Sequence, residues 1–255
     1  MKFAAIIPAR LSSSRFPRKV LFEFEGFPMV EHVRLRAEAS KVFDAGVYVA
    51  TCDQEVFDLV SKNGGSAIMT SKKHKNGTSR VAEAVDFVDC THVVVLQGDE
   101  PLLLPRHLKK FCSEVMMNQE YPVFNGVSDI LEYNDLDNKT IVKCAVNKKN
   151  DIIFCFRGTP FVSTFEVQCQ YLKKMLGLIA FRKETIKEIS NCKADAIEIN
   201  EEIEQIRIIS LNYKMKAINL GESLASVNLP SDSALVLQKM VHNKEQSEMI
   251  RSYKF

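Results

Sequence analysis

Arg10, Arg15, Arg18 and Lys19 crowd a loop of small and hydroxyl residues directly after the apolar run Ala4-Ala5-Ile6-Ile7, which ends at Pro8. A buried strand that delivers a cationic loop suits a polyphosphate. Backbone N–H groups and hydroxyls approach the phosphate oxygens closely, and guanidinium and ammonium groups neutralise them. A second polar cluster, Ser71 to Arg80, sets Gly77 beside Thr78 and Ser79, so that backbone amides can come near a ligand. A third, Gln97 to Pro101, ends an apolar run and offers Asp99, a carboxylate of the kind that holds Mg²⁺ together with phosphate oxygens and water. Each cluster also has an ordinary reading: a solvated basic loop, an Asn76-Gly77 turn before a helix cap, and a turn-capping acid.

The elements that must position these clusters alternate in type. FAAII reads as a buried strand, MVEHVRLRAEAS as a helix, GVYVAT as a strand, and EVFDLVSKNGG as a helix closed by a glycine pair. SAIMT is a short strand, TSRVAEAVDFV a helix capped by Thr78 or Ser79, THVVVLQGD a strand apolar on both faces, and LPRHLKKFCSEVMM a helix. This rhythm predicts an α/β fold, a Rossmann-like doubly wound, mostly parallel sheet with right-handed crossovers. Ligands in such sheets sit at the carboxyl ends of the strands, so the three polar clusters are expected on one rim.

The second half is less regular. TIVKCAVNKKNDIIFCFR reads as two strands around the turn Lys149-Asn150-Asp151, and MLGLIAFRKETIKEI as a strand then a helix. AIEINEEIEQIRIISLNY reads as helical, KMKAINL as a strand, and SDSALVLQKMVHN as a helix with a Ser231 cap, followed by a polar tail expected to fray. With no repeat or linker, the expectation is one domain over 1–255 with an inserted, smaller mixed α/β lobe at roughly 120–220.

Composition narrows the function classes. The chain has 255 residues, 46% apolar and 26% charged, with a net charge of +2, and acidic and basic residues are interspersed. That argues against a general nucleic-acid binder while permitting a local anion site. The N-terminal apolar run is too short for a signal peptide, and no run approaches the length of a spanning helix, so no membrane insertion is expected. Seven scattered cysteines without a CxxC pair point to a reduced, cytoplasmic protein without a disulfide framework or structural zinc. No G-x-G-x-x-G follows the first strand, which disfavours a nicotinamide-binding dehydrogenase.

Taken in order, IPARLSSSRFPRK, GFPMVEHV, VAT at Val49 to Thr51, MTSKKHKNGTSRVAE, LQGDEPL, VKCAV, FCFRGTPF, LGLIAF, EQIR and VNLPSD resemble the sugar-acid cytidylyltransferases, most closely the 3-deoxy-manno-octulosonate (Kdo) cytidylyltransferase family. The resemblance implies a fold of the nucleotide-diphospho-sugar transferase type, a homodimer, Mg²⁺ as cofactor, and CTP and a sugar acid as substrates. It implies transfer of CMP to the anomeric hydroxyl with release of pyrophosphate, for lipopolysaccharide or capsule precursors. By resemblance, Ala9, Arg10, Arg15, Lys19, Ser71, His74, Gly77, Thr78 and Arg80 contact the nucleotide. Arg10, Lys19 and Asp99 carry catalysis, Asp99 and Asn228 hold metal, and Gln97, Arg157, Glu204 and Gln205 face the sugar. Lys143 lies at a family position without an evident role.

The chain departs from the family pattern at several positions. Arg18 stands where the family often has Gly, Cys52 where it has Asp, Met175 where it has a sugar-contacting His, and Ile179 where it has an aromatic residue. Asn228 replaces an Asp that resembles a second metal ligand, with Asp232 the nearest acid that could compensate. These changes fall on the sugar and metal side, so two alternatives stay open. One is a related acceptor such as 8-amino-Kdo or a nonulosonic acid, and the other is a nucleotide-binding homologue without activity.

Overall fold

The computed structural model describes residues 1–13, 15–222 and 224–253, which form two compact units. The first unit comprises Met1–Cys112 and the C-terminal stretch from Leu224. Its elements run β1 (Phe3–Ala9), the short hairpin β2 (Glu23–Phe24) and β3 (Phe27–Pro28), α1 (Met29–Ser40), β4 (Val47–Thr51), α2 (Gln54–Lys62), β5 (Ser66–Met69), α3 (Gly77–Ala84), β6 (His92–Leu96) and the first part of α4 (Pro105–Met117), to Cys112. The strands lie in the order β6-β1-β4-β5 and all pair in parallel, with Ala5 opposite Val47, Ala5 also opposite Val94, and Tyr48 opposite Ser66.

This order decides where a ligand fits. The chain steps outward from β1 to β4 to β5, then crosses back over α3 to place β6 on the other flank of β1. The carboxyl ends of β1 and β6 therefore form a topological switch point, where successive loops diverge and leave a crevice. Every residue of β6 is buried, as are Ala4, Ala5, Ile6 and Ile7 of β1. Full burial of one such Ile contributes about 1.5–3 kcal/mol. The core thus holds rigid the two strand ends from which Arg10 and Gln97 depart.

α1 is buried on almost all sides and still carries four charged or ionisable groups inside. Glu31 and Arg34 pair within the helix, and Arg34 also reaches Glu38 at 2.7 Å. His32 Nε2 donates to the Phe24 carbonyl at 2.8 Å, which leaves Nδ1 of the neutral ring to accept from the Tyr253 hydroxyl at 3.1 Å, and burial pushes the pKa of the ring down to about 4. Arg36 donates to Tyr253 Oη at 3.0 Å and to Gln246 Oε1 at 2.6 Å. The C-terminal stretch forms α10 (Asp232–His242) and α11 (Lys244–Arg251). The polar tail expected to fray is therefore helical, capped by Asn243, whose side chain accepts from Gln246 N, and tied to α1 through buried polar bonds.

The second unit, from Ser113 onward to the start of that stretch, contains β7 (Val123–Asp129), α5 (Tyr133–Asp137), β8 (Lys143–Val146), β9 (Ile152–Phe156), α6 (Phe165–Gln168), β10 (Leu172–Arg182), α7 (Lys183–Asn191), α8 (Ala196–Glu201), α9 (Gln205–Ser210) and β11 (Met215–Asn219). β10 runs antiparallel to both β7 and β8, β8 antiparallel to β9, and β11 parallel to β7. A bulge interrupts β10 between Met175 and Ile179. Ile130, Leu136, Ala145, Phe156 and Leu172 form a local core here, against which Phe161, Phe165 and Tyr171 pack.

Several elements differ from the sequence expectation. α3 is capped by Asn76, whose side chain accepts from Ser79 N at 2.9 Å, rather than by Thr78 or Ser79, because the helix begins one residue earlier at Gly77. The stretch 196–213 is two helices, broken where Glu202 takes a left-handed φ of 53°. Ser231 stands at the start of α10 without a side-chain cap bond, and Asp232, the first helical residue, accepts instead from the amides of Asn228 and Leu229 in the turn before the helix. β7 had no counterpart in the sequence reading. No helix among the described residues is long and apolar enough to cross a membrane.

Candidate active site

The loop after β1 is fixed at both ends by backbone contacts. Leu11 N donates to Asp53 Oδ2 at 2.8 Å, and Arg18 N donates to the Leu11 carbonyl at 2.9 Å. Asp53, the acid following Cys52, thus anchors this loop to the end of β4. Phe16, Phe22 and Phe24 stack edge to face, with centroids 5.3 and 5.1 Å apart, and pin the far side of the loop to the core. Between these anchors Arg10 and Arg15 stand exposed, and Lys19 is half-buried.

Arg18 explains its own departure from the family pattern. It adopts φ 59°, the left-handed region that glycine enters without a Cβ penalty. Its side chain turns away to an exposed ion pair with Glu55 of α2. The extra cation is therefore spent on the surface.

The cluster 71–80 meets the β1 and β6 ends directly. Arg10 Nη1 donates to the Lys75 carbonyl at 3.1 Å. A Cβ on Gly77 would lie 3.1 Å from Pro8 Cγ and 3.3 Å from Gln97 Nε2, so the glycine lets the start of α3 close on both strand ends. Within the cluster Glu83, which the sequence reading did not single out, gathers the loop: it accepts from Ser71 N at 3.0 Å and pairs with His74 Nε2. Partial desolvation would raise its carboxyl, but the His74 bond, the Ser71 amide and Arg80 outweigh it and hold the group below the usual carboxylate range. Arg80 is buried and donates to Thr70 Oγ1 at 2.6 Å, bracing the end of β5. The signal for Glu83 was its place one turn beyond Arg80 on the same helix.

After β6, Gly98 packs with its Cα face against the Pro8 carbonyl, where a Cβ would stand 3.4 Å away. Asp99 follows. Its Oδ2 accepts from Lys19 Nζ at 2.8 Å, and its main-chain carbonyl accepts from Val227 N at 3.0 Å. Lys19 Nζ also donates to the Val227 carbonyl at 2.9 Å. Lys19, Asp99 and Val227 thereby form a closed bridge across three chain segments. Asn228 is the next residue; its backbone N and that of Leu229 both donate to Asp232 Oδ2 at 2.8 Å, and its side chain donates to Ser226 Oγ at 3.2 Å. Asp232 therefore shapes the turn that presents Asn228, and its Oδ2 is committed to that turn.

Asp99 Oδ2 and the Val227 carbonyl form an oxygen pair that already accepts one cation, the Lys19 ammonium. That donor set fits a divalent ion of the Mg²⁺ type, which takes one or two carboxylates and completes its shell with phosphate oxygens and water.

In the second unit Arg157 donates to four backbone carbonyls: Glu201 at 2.9 Å, Glu202 at 3.2 Å, Lys139 at 3.2 Å and Thr140 at 3.3 Å. It clamps the loop 138–140 to the C-terminal end of α8. Lys143, fully buried, donates to the Asn138 carbonyl at 2.8 Å and supports the same loop. Its desolvation, reinforced by Arg157, lowers its pKa from 10.5 to about 8. Glu204 opens α9, and Gln205 Nε2 donates to Asn125 Oδ1 on β7 at 3.3 Å. Met175 and Ile179 are buried on either side of the β10 bulge.

A family model described as Cytidylyltransferase matches residues 4–218. The chain belongs to the cytidylyltransferase family. This member is 31% identical to the 3-deoxy-manno-octulosonate cytidylyltransferase of Geobacter metallireducens, over 94% of this chain and 98% of that one. It is likewise 31% identical to the protein of that name from Fusobacterium nucleatum, over 95% and 98%. Among solved structures, a CMP:2-keto-3-deoxy-manno-octonic acid synthetase complexed with CTP aligns with a TM-score of 0.86 at 29% identity, covering 94% of this chain and 98% of that one. The inositol-1-phosphate CTP transferase of T. maritima shares the fold at a TM-score of 0.68 and 16% identity, over 100% and 98% of the two chains. The chain is thus a nucleotidyltransferase of α/β fold.

Proposed function

We propose that this cytidylyltransferase transfers CMP from CTP to the anomeric hydroxyl of Kdo, releasing pyrophosphate, and so supplies an activated sugar acid for lipopolysaccharide synthesis in the cytoplasm. The observation that carries the reading is the Lys19–Asp99 pair at the switch point between β1 and β6, with Arg10 and the N-terminus of α3 beside it. The near-full-length similarity to proteins named for this activity supports it.

On this reading Arg10, Arg15 and Lys19 hold the β- and γ-phosphates. Ala9, Ser71, His74, Gly77, Thr78 and Arg80 form the nucleotide wall, in which Glu83 fixes His74 and the Ser71 amide. Gln97, Arg157, Glu204 and Gln205 serve the sugar acid, with Arg157 acting through the two loops it clamps. Asp99 and Asn228 would hold Mg²⁺, which when bound neutralises triphosphate charge. The sugar oxygen attacks the α-phosphorus in line as pyrophosphate leaves, and no covalent intermediate on the protein is needed. The protein's work is positioning and charge neutralisation by Arg10 and Lys19.

A homodimer belongs to the same proposal. β9 pairs with β8 and exposes Ile153 and Phe154, an apolar edge of the kind that a second copy covers.

The test is a pyrophosphate-release assay with CTP, Mg²⁺ and a panel of sugar acids: Kdo, 8-amino-Kdo and nonulosonic acids. Turnover highest with Kdo is expected. Preference for another acid would reassign the acceptor, and CTP binding without release across the panel would make the chain a nucleotide-binding homologue.

A further inference from the structure

β7 carries a completely buried amide, Asn125, among apolar neighbours. It lies opposite Ile179 of β10, while Val127, two residues on, lies opposite Met175. Directly paired residues point to the same side of a sheet, so Asn125, Val127, Met175 and Ile179 share one face, with the β10 bulge between the last two. An amide in such surroundings is retained only if its hydrogen bonds are made.

Those bonds have a fixed sense. Asn125 Nδ2 donates to the Gly126 carbonyl at 2.7 Å and to the Leu176 carbonyl, inside the bulge, at 3.2 Å. Both amide hydrogens are thereby directed at backbone oxygens, which can only accept. Flipping the Asn125 amide would set its oxygen against those two carbonyls. Oδ1 therefore has to face Gln205, and it accepts from Gln205 Nε2 at 3.3 Å. Gln205 in turn must aim its amide nitrogen inward. Its Oε1 is left with no protein partner among the described residues, on a side chain that is half-buried rather than sealed.

We propose that Asn125 is a positioning residue for the acceptor sugar: it fixes the orientation of the Gln205 amide so that Oε1 is presented as an acceptor to a donor group, a hydroxyl, of the sugar acid. The polarity is set by two backbone carbonyls and passed outward through two side chains. The bulge contributes because Leu176, whose carbonyl meets Asn125, lies where the β10–β7 register is interrupted. The proposal rests on the reading of Gln205 as a sugar-facing residue.

Asn125→Thr and Asn125→Val separate this role from packing. The two replacements have nearly the same volume and β propensity, but only the Thr hydroxyl can donate to Leu176 and accept from Gln205. At saturating CTP the Val variant should raise the KM for Kdo about tenfold, the scale of one oriented hydrogen bond, with kcat and CTP affinity retained, while Thr stays within about threefold of the parent. Asn125→Ser and Asn125→Ala read the same contrast if the β-branched pair folds poorly. Equal KM values for Thr and Val, or for Ser and Ala, would overturn the proposal. Kdo binding by saturation-transfer NMR is measured alongside. If the parent binds Kdo without releasing pyrophosphate and Val weakens that binding, the transferase reading fails and the positioning role stands. If the parent neither binds nor turns over any sugar acid, both fall.

Discussion

Lys19 Nζ stands 2.8 Å from Asp99 Oδ2, joining the loop after β1 to the loop after β6 across the switch point of the sheet. Both side chains are largely shielded, so the pair is not an ordinary surface salt bridge, and Val227 holds both residues through its backbone. Lys19→Ala and Asp99→Ala should each lower pyrophosphate release by at least about a hundredfold, the scale of losing one electrostatic stabiliser in a phosphoryl-transfer site. Circular dichroism should show the fold retained. Near-normal turnover in either variant would defeat the assignment of this pair.

On the proposed reading Asp99 and Asn228 meet the metal, so residue 228 sets part of the metal demand. Asn228 is an amide where a carboxylate would add charge, and Asp232, the acid that could have compensated, has its Oδ2 committed to the turn amides of Asn228 and Leu229. Asn228→Asp should therefore lower the Mg²⁺ concentration needed for half-maximal rate, measured by titrating the metal at fixed CTP. An unchanged requirement would mean that residue 228 does not meet the ion.

Arg18 offers the opposite expectation. Its backbone sits where glycine is at ease, and its guanidinium pairs with Glu55 at the surface. Arg18→Gly should leave kcat/KM for CTP within about twofold of the parent, because an exposed pair contributes little and the proposed phosphate cations are Arg10, Arg15 and Lys19. Steady-state kinetics beside Arg15→Gly gives the contrast. A loss in Arg18→Gly as large as in Lys19→Ala would place Arg18 in the phosphate site.

The rim of the first unit was legible because its signals are local. A buried parallel strand leaves an unbroken apolar run, and the polar cluster after it marks the carboxyl end, so the sequence pattern alone puts Arg10, Gly77 and Asp99 on one rim. What escaped were effects of tertiary placement. β7 was missed because Asn125 and Gly126 interrupt its apolar run, and only the β10 bulge and Gln205 explain an amide there. The break at Glu202 was hidden because nothing in a run of acids announces a left-handed residue. Glu83 was hidden because a carboxylate one helical turn beyond Arg80 reads as a solvated face until His74 and the Ser71 amide are seen to converge on it. The C-terminal helix was hidden because its anchors, Gln246 and Tyr253, are polar residues satisfied by α1 rather than an apolar stripe.

Lys143 makes burial of a charge measurable. It is fully buried, donates to the Asn138 carbonyl, and is faced by Arg157 and, more favourably, by Asp135 and Asp137. Desolvation first, and Arg157 second, lower its pKa from 10.5 to about 8. Between those values the unfolded chain binds more protons at this site than the folded one, so the site's contribution to stability rises as pH rises from about 8 to about 10.5. At roughly 1.4 kcal/mol per unit the full span is on the order of 3 kcal/mol. Lys143→Met lacks this titration but leaves the Asn138 carbonyl without its donor, a loss of about 1–3 kcal/mol that does not depend on pH. The two effects nearly offset at neutral pH, where the parent still buries a charge. The variant should thus match the parent near neutrality and fall behind it by roughly 2–3 kcal/mol near the upper end of that range. Urea midpoints of both proteins across the window give the difference directly, since every other titrating group is common to the pair. Parallel pH profiles would show that Lys143 titrates as an ordinary exposed lysine and that its burial has no energetic consequence.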